Sequence, residues 1–317
     1  MKTIQVVIAE RAWEAKDVVR VVLRRPNGER LPEFCAGAHI DLFLPNGLTR
    51  QYSLLNPCGD FDRYEIAVSR SAVSRGGSSY VHTALGVGET LDISEPRNNF
   101  NLQSDHETFH FVAGGIGITP ILSMIRYCES RSWKWRLLYL TRSRACAAFH
   151  QELAAFGADR VRFHWDDEAG CLFDFTDGSF DVQSGVPIYC CGPAPVMKAV
   201  GEFSARRPDN PAYFEWFSAP EGDGVGSMAT GFDLKLSRSG RVLRVPQDKS
   251  ILEVLEEHGY DLPCSCREGM CRTCETTVIA GEPEHRDYVL SSAERAAGRT
   301  MMICVSRALG PTLVLDI

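Results

Sequence analysis

Cys264-Ser265-Cys266-Arg267-Glu268-Gly269-Met270-Cys271-Arg272-Thr273-Cys274 is the stretch on which the reading of this chain turns. Cys266, Cys271 and Cys274 are spaced C-x4-C-x2-C, and Cys304 follows on the segment Met301–Val305. That is the thiolate spacing of a plant-type 2Fe–2S centre, whose two irons need four soft anionic ligands. A structural zinc site more often shows two short C-x2-C knuckles, and only Cys271 and Cys274 make one here. Cys264 lies two residues before Cys266 and competes with it as a ligand. The x4 interval to Cys271 favours Cys266 and leaves Cys264 a spare thiol. The metal ligands are therefore expected to be Cys266, Cys271, Cys274 and Cys304, in a protein that carries single electrons.

The composition fits a reducing compartment. The chain has 317 residues, long enough for two or three domains, with 44% hydrophobic and 24% charged residues. Its formal charge of −7 offers no basic footprint for nucleic acid. No apolar run is long enough to cross a bilayer, and the start, MKTIQVVIAE, is not a signal peptide. Twelve cysteines in a chain without a secretory signal read as cluster ligands and small core residues rather than a disulfide framework. The expected location is the cytoplasm, with no membrane and no nucleic-acid partner.

Outward from the cysteine loop, the chain divides by rhythm. Phe232–Leu236 and Val242–Val245 flank Ser239-Gly240 as a hairpin, and Ser250 and Glu253 have capping-box spacing before a helix over Ile251–His258. Strands are expected around Thr276–Ile279, Met301–Val305 and Thr312–Asp316. Upstream, residues 218–231 are polar and glycine-rich and read as a linker.

From 104 to 217 strands and helices alternate, as a parallel sheet with helices on its faces requires. The expected strands are Phe109–Ala113, Arg136–Thr141, Arg160–Trp165, Pro187–Cys191 and Tyr213–Phe217. Helices are expected over Pro120–Cys128, Ala145–Phe156 and from Pro195, with Thr119 as N-cap and Pro120 at the first helical position. Residues 1–103 read as all-β, with strands at Val18–Arg25, Ala38–Leu44, Arg50–Leu55, Tyr64–Arg70 and Thr90–Ser94 and turns at Pro26-Asn27-Gly28 and Pro45-Asn46-Gly47. Such strands suggest an antiparallel barrel, with a short helix over Ser79–Leu85.

Each module offers a ligand site. Gly114-Gly115-Ile116-Gly117-Ile118-Thr119-Pro120 follows a strand and opens a helix, where backbone N–H groups meet phosphate. Cys191-Gly192-Pro193 adds a second turn at a strand C-terminus, the place where open α/β sheets bind ligands. In the first domain, Arg50-Gln51-Tyr52-Ser53 combines a cation for a phosphate, a ring for a flat cofactor and a hydroxyl for a ring nitrogen; taken without context, a plain strand with one exposed Arg and one half-buried Tyr is the preferred reading. Ser74-Arg75-Gly76-Gly77-Ser78 is either an anion nest or an ordinary loop. Electron counting links the modules. A nicotinamide gives up two electrons together and the cluster takes one at a time, so a flavin is needed between them.

Together these residues resemble the phthalate dioxygenase reductase family, the flavin and iron–sulfur reductases of bacterial aromatic-ring oxygenases and O-demethylases. The resemblance spans the chain through RQYSL (Arg50–Leu54), RGGS (Arg75–Ser78), GGIGITP (Gly114–Pro120), CCGP (Cys190–Pro193), the cysteine loop, HRDYVL (His285–Leu290) and CVSRA (Cys304–Ala308). It implies an FMN-binding antiparallel β-barrel domain at 1–103 and an NAD-binding α/β parallel-sheet domain at 104–217. An α+β (β-grasp) plant-type ferredoxin domain follows at 232–317.

The resemblance also implies roles. Arg50, Arg75, Gly76, Gly77 and Ser78 would hold the FMN phosphate. Gln51, Tyr52, Ser53, Ala67 and Val68 would border the flavin, with Ser53 tuning the nitrogen that receives hydride. Gly114, Gly115, Gly117, Thr119, Arg142, Cys191 and Gly192 would line the NADH site, Thr119 and Cys191 beside the nicotinamide. Phe217 would stack near the flavin. Arg142 and Arg144 read either as partners of a 2′-phosphate or as solvated charges, and NADH is taken from the family. Where the family commonly has glycine after the second cluster cysteine, this chain has Arg272, a cation able either to alter the partner surface or to raise the cluster's potential.

The expected function is the reductase component of an oxygenase or demethylase. Electrons would pass from NADH through FMN and a 2Fe–2S cluster to a Rieske non-haem iron oxygenase, the reductase acting as a monomer. Two alternatives stay open: the same chemistry serving a haem monooxygenase, and a non-enzymatic iron–sulfur redox sensor. His82 and His285 read as surface or packing residues.

Overall fold

The first element is one the sequence reading passed over. In the computed structural model, which describes residues 3–70, 76–103, 105–218 and 231–317, β1 (Thr3–Ala15) is a 13-residue strand. Ile4, Val6 and Ile8 point into the core by strict alternation. Beyond them the strand runs through Glu10, Arg11 and Trp13 with little burial, so the apolar signal fades halfway along.

β2 (Val18–Arg24), β3 (His39–Phe43), β4 (Thr49–Ser53), β5 (Tyr64–Ser69) and β6 (Thr90–Ser94) complete a six-stranded sheet in the order β4-β3-β6-β1-β2-β5. Every pair is antiparallel. Leu55 N donates to Glu65 O at 3.0 Å and so joins the chain just past β4 to β5 and closes the barrel. α1 (Gly77–Thr83) buries Val81 in the barrel core.

The alternating region forms β7 (Thr108–Gly114), α2 (Ile118–Arg131), β8 (Lys134–Thr141), α3 (His150–Ala154), β9 (Val161–Trp165), α4 (Asp166–Ala169), β10 (Ile188–Cys191), α5 (Ala194–Ala205) and β11 (Ala212–Glu215). The sheet is parallel throughout, in the order β11-β10-β7-β8-β9. Two expectations are corrected here. Thr119 is not the N-cap of α2. A 3₁₀ turn over Gly115–Gly117 winds straight into the helix, Gly117 takes the cap position, and Thr119 Oγ1 donates instead to Ile116 O at 3.0 Å. The helix expected over Ala145–Phe156 shrinks to α3. Arg144–Cys146 makes a 3₁₀ turn, and Phe149 takes a left-handed φ of 59° that breaks the helix while its side chain is buried.

Barrel and parallel sheet belong to one compact unit, Met1–Glu215. Val18, Leu55, Ala67 and Phe100 share a core with Ile118, Leu122 and Tyr189, and Arg126 Nη1 of α2 donates to Leu55 O at 2.6 Å.

The second unit, Trp216–Ile317, contains β12 (Phe232–Leu236), β13 (Val242–Val245), α6 (Ile251–Glu257), β14 (Glu275–Ala280), β15 (Pro283–Glu284), α7 (Ser292–Ala297), β16 (Thr300–Met302), β17 (Arg307–Ala308) and β18 (Thr312–Leu315). Its main sheet has the order β13-β12-β18-β14-β16, with β12 and β18 parallel and the other pairs antiparallel. This is the β-grasp arrangement. The capping box before α6 forms as its spacing implies: Glu253 N donates to Ser250 Oγ at 3.1 Å and Ser250 N to Glu253 Oε2 at 2.7 Å. An equivalent box, Ser291 with Glu294, starts α7, a helix the sequence reading missed despite the same spacing.

Candidate functional site

In the first unit, barrel and parallel sheet meet at four strand residues. β3 and β4 pair His39 with Ser53, and β10 and β11 pair Cys191 with Glu215. Ser53 Oγ donates to Glu215 Oε2 at 3.3 Å, and His39 Nδ1 stands 3.9 Å from Glu215 Oε1. His39, Ser53, Thr119 and Cys191 are all buried.

Burial pushes the Glu215 carboxyl up to about 8, partly opposed by the Ser53 hydrogen bond, so its proton is exchangeable near neutral pH. Burial, with Glu215 beside it, also pushes the Cys191 thiol well above its ordinary range and keeps it neutral. The sequence reading missed Glu215 and His39 as site residues. A carboxylate closing the strand Ala212–Glu215 was the available signal, since an acid at the end of such a strand needs a partner or a proton.

The glycines of the nucleotide loop divide into two groups. A Cβ at Gly117 would run into the Cys191 carbonyl, one at Gly114 would reach Pro193 Cδ at 2.5 Å, and one at Gly192 would reach Gly114 Cα at 2.9 Å. These three let the loops after β7 and β10 lie against each other. Only Gly115 of the four has a left-handed φ, 54°, with open space where a Cβ would stand. Its carbonyl accepts from the Tyr139 hydroxyl at 3.2 Å. Gly115 alone of the four leaves open space beside the backbone, and contact between loops explains the others.

On the barrel, Arg50 lies across Gly77, where any Cβ would collide with the arginine stem, and its Nη1 donates to Thr49 O at 2.8 Å. Gly76, with φ 88°, leads into α1. An arginine laid across Gly77 suits a phosphate; Arg75 lies outside the described residues. Burial raises the Tyr52 hydroxyl to about 12, opposed by the Arg50 charge, so Tyr52 stays neutral. Gln51 Nε2 is committed to Asp41 Oδ1 at 3.0 Å. Ala67 and Val68 are buried, and the Val68 carbonyl is bonded to His82 Nε2 at 2.9 Å. Arg142 is exposed, whereas Arg144 is paired with Glu168 at 2.5 and 3.0 Å. Phe217 belongs to the second unit and is 42% exposed.

The second unit brings the four expected ligands together. The Cys266 thiol is in hydrogen-bond contact with those of Cys271 and Cys304, and Cys274 with Cys304. Cys271, Cys274 and Cys304 are buried. Cys266 Sγ accepts from Glu268 N and Met270 N, both at 3.4 Å. These thiol and backbone donors hold Cys266 well below the ordinary thiol range. Among the described residues no three His, Cys, Asp or Glu side chains are set to hold one metal ion. Four thiols meeting pairwise have instead the chemistry that a two-iron centre requires. Cys264 lies half-buried against the same core, its thiol pushed up chiefly by burial. His285 is a packing residue, its Nδ1 3.6 Å from Asp287 Oδ1.

Comparison with known proteins agrees with this chemistry. Residues 234–309 match the family described as the 2Fe–2S iron–sulfur cluster binding domain. The toluene-4-sulfonate monooxygenase system reductase subunit of Comamonas testosteroni is 42% identical over 305 residues, covering 96% of this chain and 95% of that protein. The solved structure of phthalate dioxygenase reductase, described as modular for electron transfer from pyridine nucleotides to [2Fe–2S], matches with a TM-score of 0.72 at 38% identity, over 99% of this chain and 98% of that one. An intact type IV self-sufficient cytochrome P450 monooxygenase matches with a TM-score of 0.91 at 37% identity. This chain spans 41% of that P450 chain.

Barrel, nucleotide sheet and iron–sulfur domain define an electron-transferring flavoprotein oxidoreductase. The chain belongs to the phthalate dioxygenase reductase family. It is a flavin and iron–sulfur oxidoreductase of the kind that serves oxygenase systems.

Proposed function

We propose that residues 1–103 bind FMN, 104–217 bind NADH, 218–231 link, and 232–317 carry the cluster on Cys266, Cys271, Cys274 and Cys304. The observation that carries this reading is the Ser53–Glu215 hydrogen bond of 3.3 Å, because it joins the flavin motif of the barrel to the nicotinamide end of the parallel sheet. Arg50 and the Gly76–Ser78 backbone, with Arg75, hold the FMN phosphate. Tyr52, Gln51, Ala67 and Val68 border the ring, and Ser53 orients it. Gly115, Thr119 and Arg142 hold the nucleotide, and Gly114, Gly117 and Gly192 shape its loops. Cys191, a neutral thiol, faces the nicotinamide without adding charge.

FMN, when bound, takes up hydride and passes electrons on one at a time, which links a two-electron donor to a one-electron cluster. NADH delivers two electrons and a proton, and the cluster takes electrons only, so one proton per NADH has to leave. Glu215, raised to about 8, holds and exchanges that proton at Oε1 or Oε2 near neutral pH.

The acceptor is a Rieske-type oxygenase, and the reductase works as a cytoplasmic monomer. No helix among the described residues is long and apolar enough to cross a membrane. A haem acceptor is the second reading, favoured by the match to a chain that includes a cytochrome P450 monooxygenase.

An anaerobic NADH titration with released iron and flavin quantified tests the electron path. FMN in the supernatant and bleaching of both flavin and iron–sulfur bands are expected; bleaching of flavin alone overturns the cluster. Substrate turnover driven by this reductase with a Rieske oxygenase component, compared with a P450 haem domain, then decides the acceptor.

A further inference from the structure

Three residues of the cysteine loop are left-handed: Arg267 at φ 56°, Gly269 at 71° and Arg272 at 57°. For a residue with a Cβ this conformation is strained, so something must hold the two arginines there. Arg267 is paired with Glu256 of α6 at 2.6 and 3.1 Å. Arg272 is held more extensively. Its Nη2 lies 2.9 Å from both Glu294 carboxylate oxygens and donates to Val289 O at 3.0 Å, and its Nη1 reaches Glu275 Oε2 at 3.5 Å.

Glu294 has a second task. Its Oε2 accepts from Ser291 N and Oγ, both at 2.7 Å, and so closes the capping box of α7. The same segment touches the loop again where Tyr288 N donates to Gly269 O at 3.0 Å. The loop between Cys266 and Cys274 is thus fastened to residues 288–294 at two points, and Arg272 makes the only charged one among the contacts described for those points.

We propose that Arg272 and Glu294, with Glu275 on the other guanidinium nitrogen, form a clamp: it positions the cysteine loop, and the opposition of these charges sets the reduction potential of the cluster. The proposal rests on the reading of Cys266, Cys271, Cys274 and Cys304 as cluster ligands. Reduction adds one electron, hence one negative charge, to the cluster. A cation beside it favours the reduced form and a carboxylate disfavours it, and here the two stand in contact and largely cancel. Arg272 therefore does not raise the potential by itself, as its place in the sequence suggests; Glu294 masks it.

The signs make the test. Arg272→Gln leaves Glu294 unopposed and should lower the reduced-to-oxidised ratio at fixed potential by about threefold to tenfold, a range set by partial solvent screening. Glu294→Gln unmasks Arg272 and should raise that ratio by about as much, while Gln at this position can still cap α7. The double variant should return near wild type. Spectroelectrochemical titration of the holoenzymes reads all three, after iron analysis has confirmed that each carries its cluster.

Shifts of the two single variants in the same direction, or no shift in either, overturn the proposal. Arg272→Lys keeps the charge and loses the bidentate geometry. Its potential should match wild type, while a chelator removes its iron at least about threefold faster; unchanged release overturns the positioning role. Should either Gln variant fail to fold, the Lys variant's potential and iron release still decide the outcome. If Cys266→Ser kept its iron, the ligand assignment would fail separately from the clamp.

Discussion

The flavin–nucleotide junction and the cysteine loop are built in opposite ways. Three of the four cluster ligands lie within nine residues and share one loop, Cys266 to Cys274. The junction draws His39, Ser53, Cys191 and Glu215 from four strands of two different sheets. A metal centre needs a fixed set of soft donors, and a short loop supplies most of them by spacing alone. A junction that aligned two cofactors held on different sheets would draw its residues from both. Its chemistry depends on burial and on neighbours that spacing cannot specify. Local sites are legible as motifs, and assembled sites as environments.

The sharpest way to break this comparison lies in the loop. Cys266→Ser should lose nearly all cluster iron, whereas Cys264→Ser should retain it, both read by iron assay and visible absorbance. The reverse result would mean that the ligand register is wrong and that spacing misleads even in the local site.

The junction makes its own demand at Gly117. Alanine there meets the Cys191 carbonyl and should cost about 2–4 kcal/mol in denaturant unfolding, as overpacked backbone does. Gly115→Ala has open space and should cost only about 1–2 kcal/mol, from its left-handed φ of 54°. Equal costs would remove the distinction between loop contact and open space.

Glu215 gives a pH signature. Its carboxyl is raised from 4.5 to about 8, so the folded state binds that proton more tightly than the unfolded chain. The stability this contributes is fully present below pH 4.5 and is lost as pH rises through about 8. Glu215→Gln cannot ionise. Relative to wild type it should gain about 2–4 kcal/mol between those limits and nothing more above them, a range discounted for the partial exposure of the side chain. A difference that does not change with pH would show that Glu215 is already ionised in the folded protein.

The smallest effect expected is at Ser250. Loss of its capping bond in Ser250→Ala should cost about 1 kcal/mol, without touching either redox site.

Much of the architecture could be read because it repeats locally. Strand alternation placed β2 to β6, and the strand–helix rhythm placed β7 to β11. β1 was lost because its second half is largely exposed, and α3 was overextended because Phe149 turns left-handed to bury its ring. Thr119 looked like a cap because a hydroxyl before proline usually is one; the glycine turn that displaced it is a matter of how the backbone winds.

What the sequence by itself determined is the kind of chemistry: four thiolates at cluster spacing, a flavin motif and a nucleotide loop, the three parts that an electron path from a nicotinamide to iron requires. Each is a short-range pattern, set by the bonding needs of its ligand. Only the tertiary structure decided that Glu215 sits beside Ser53 and Cys191, that three nucleotide-loop glycines serve loop contact, and that Arg272 is answered by Glu294. Those facts depend on which distant residues share a low-dielectric space. Distance and burial there exist only once the chain has folded.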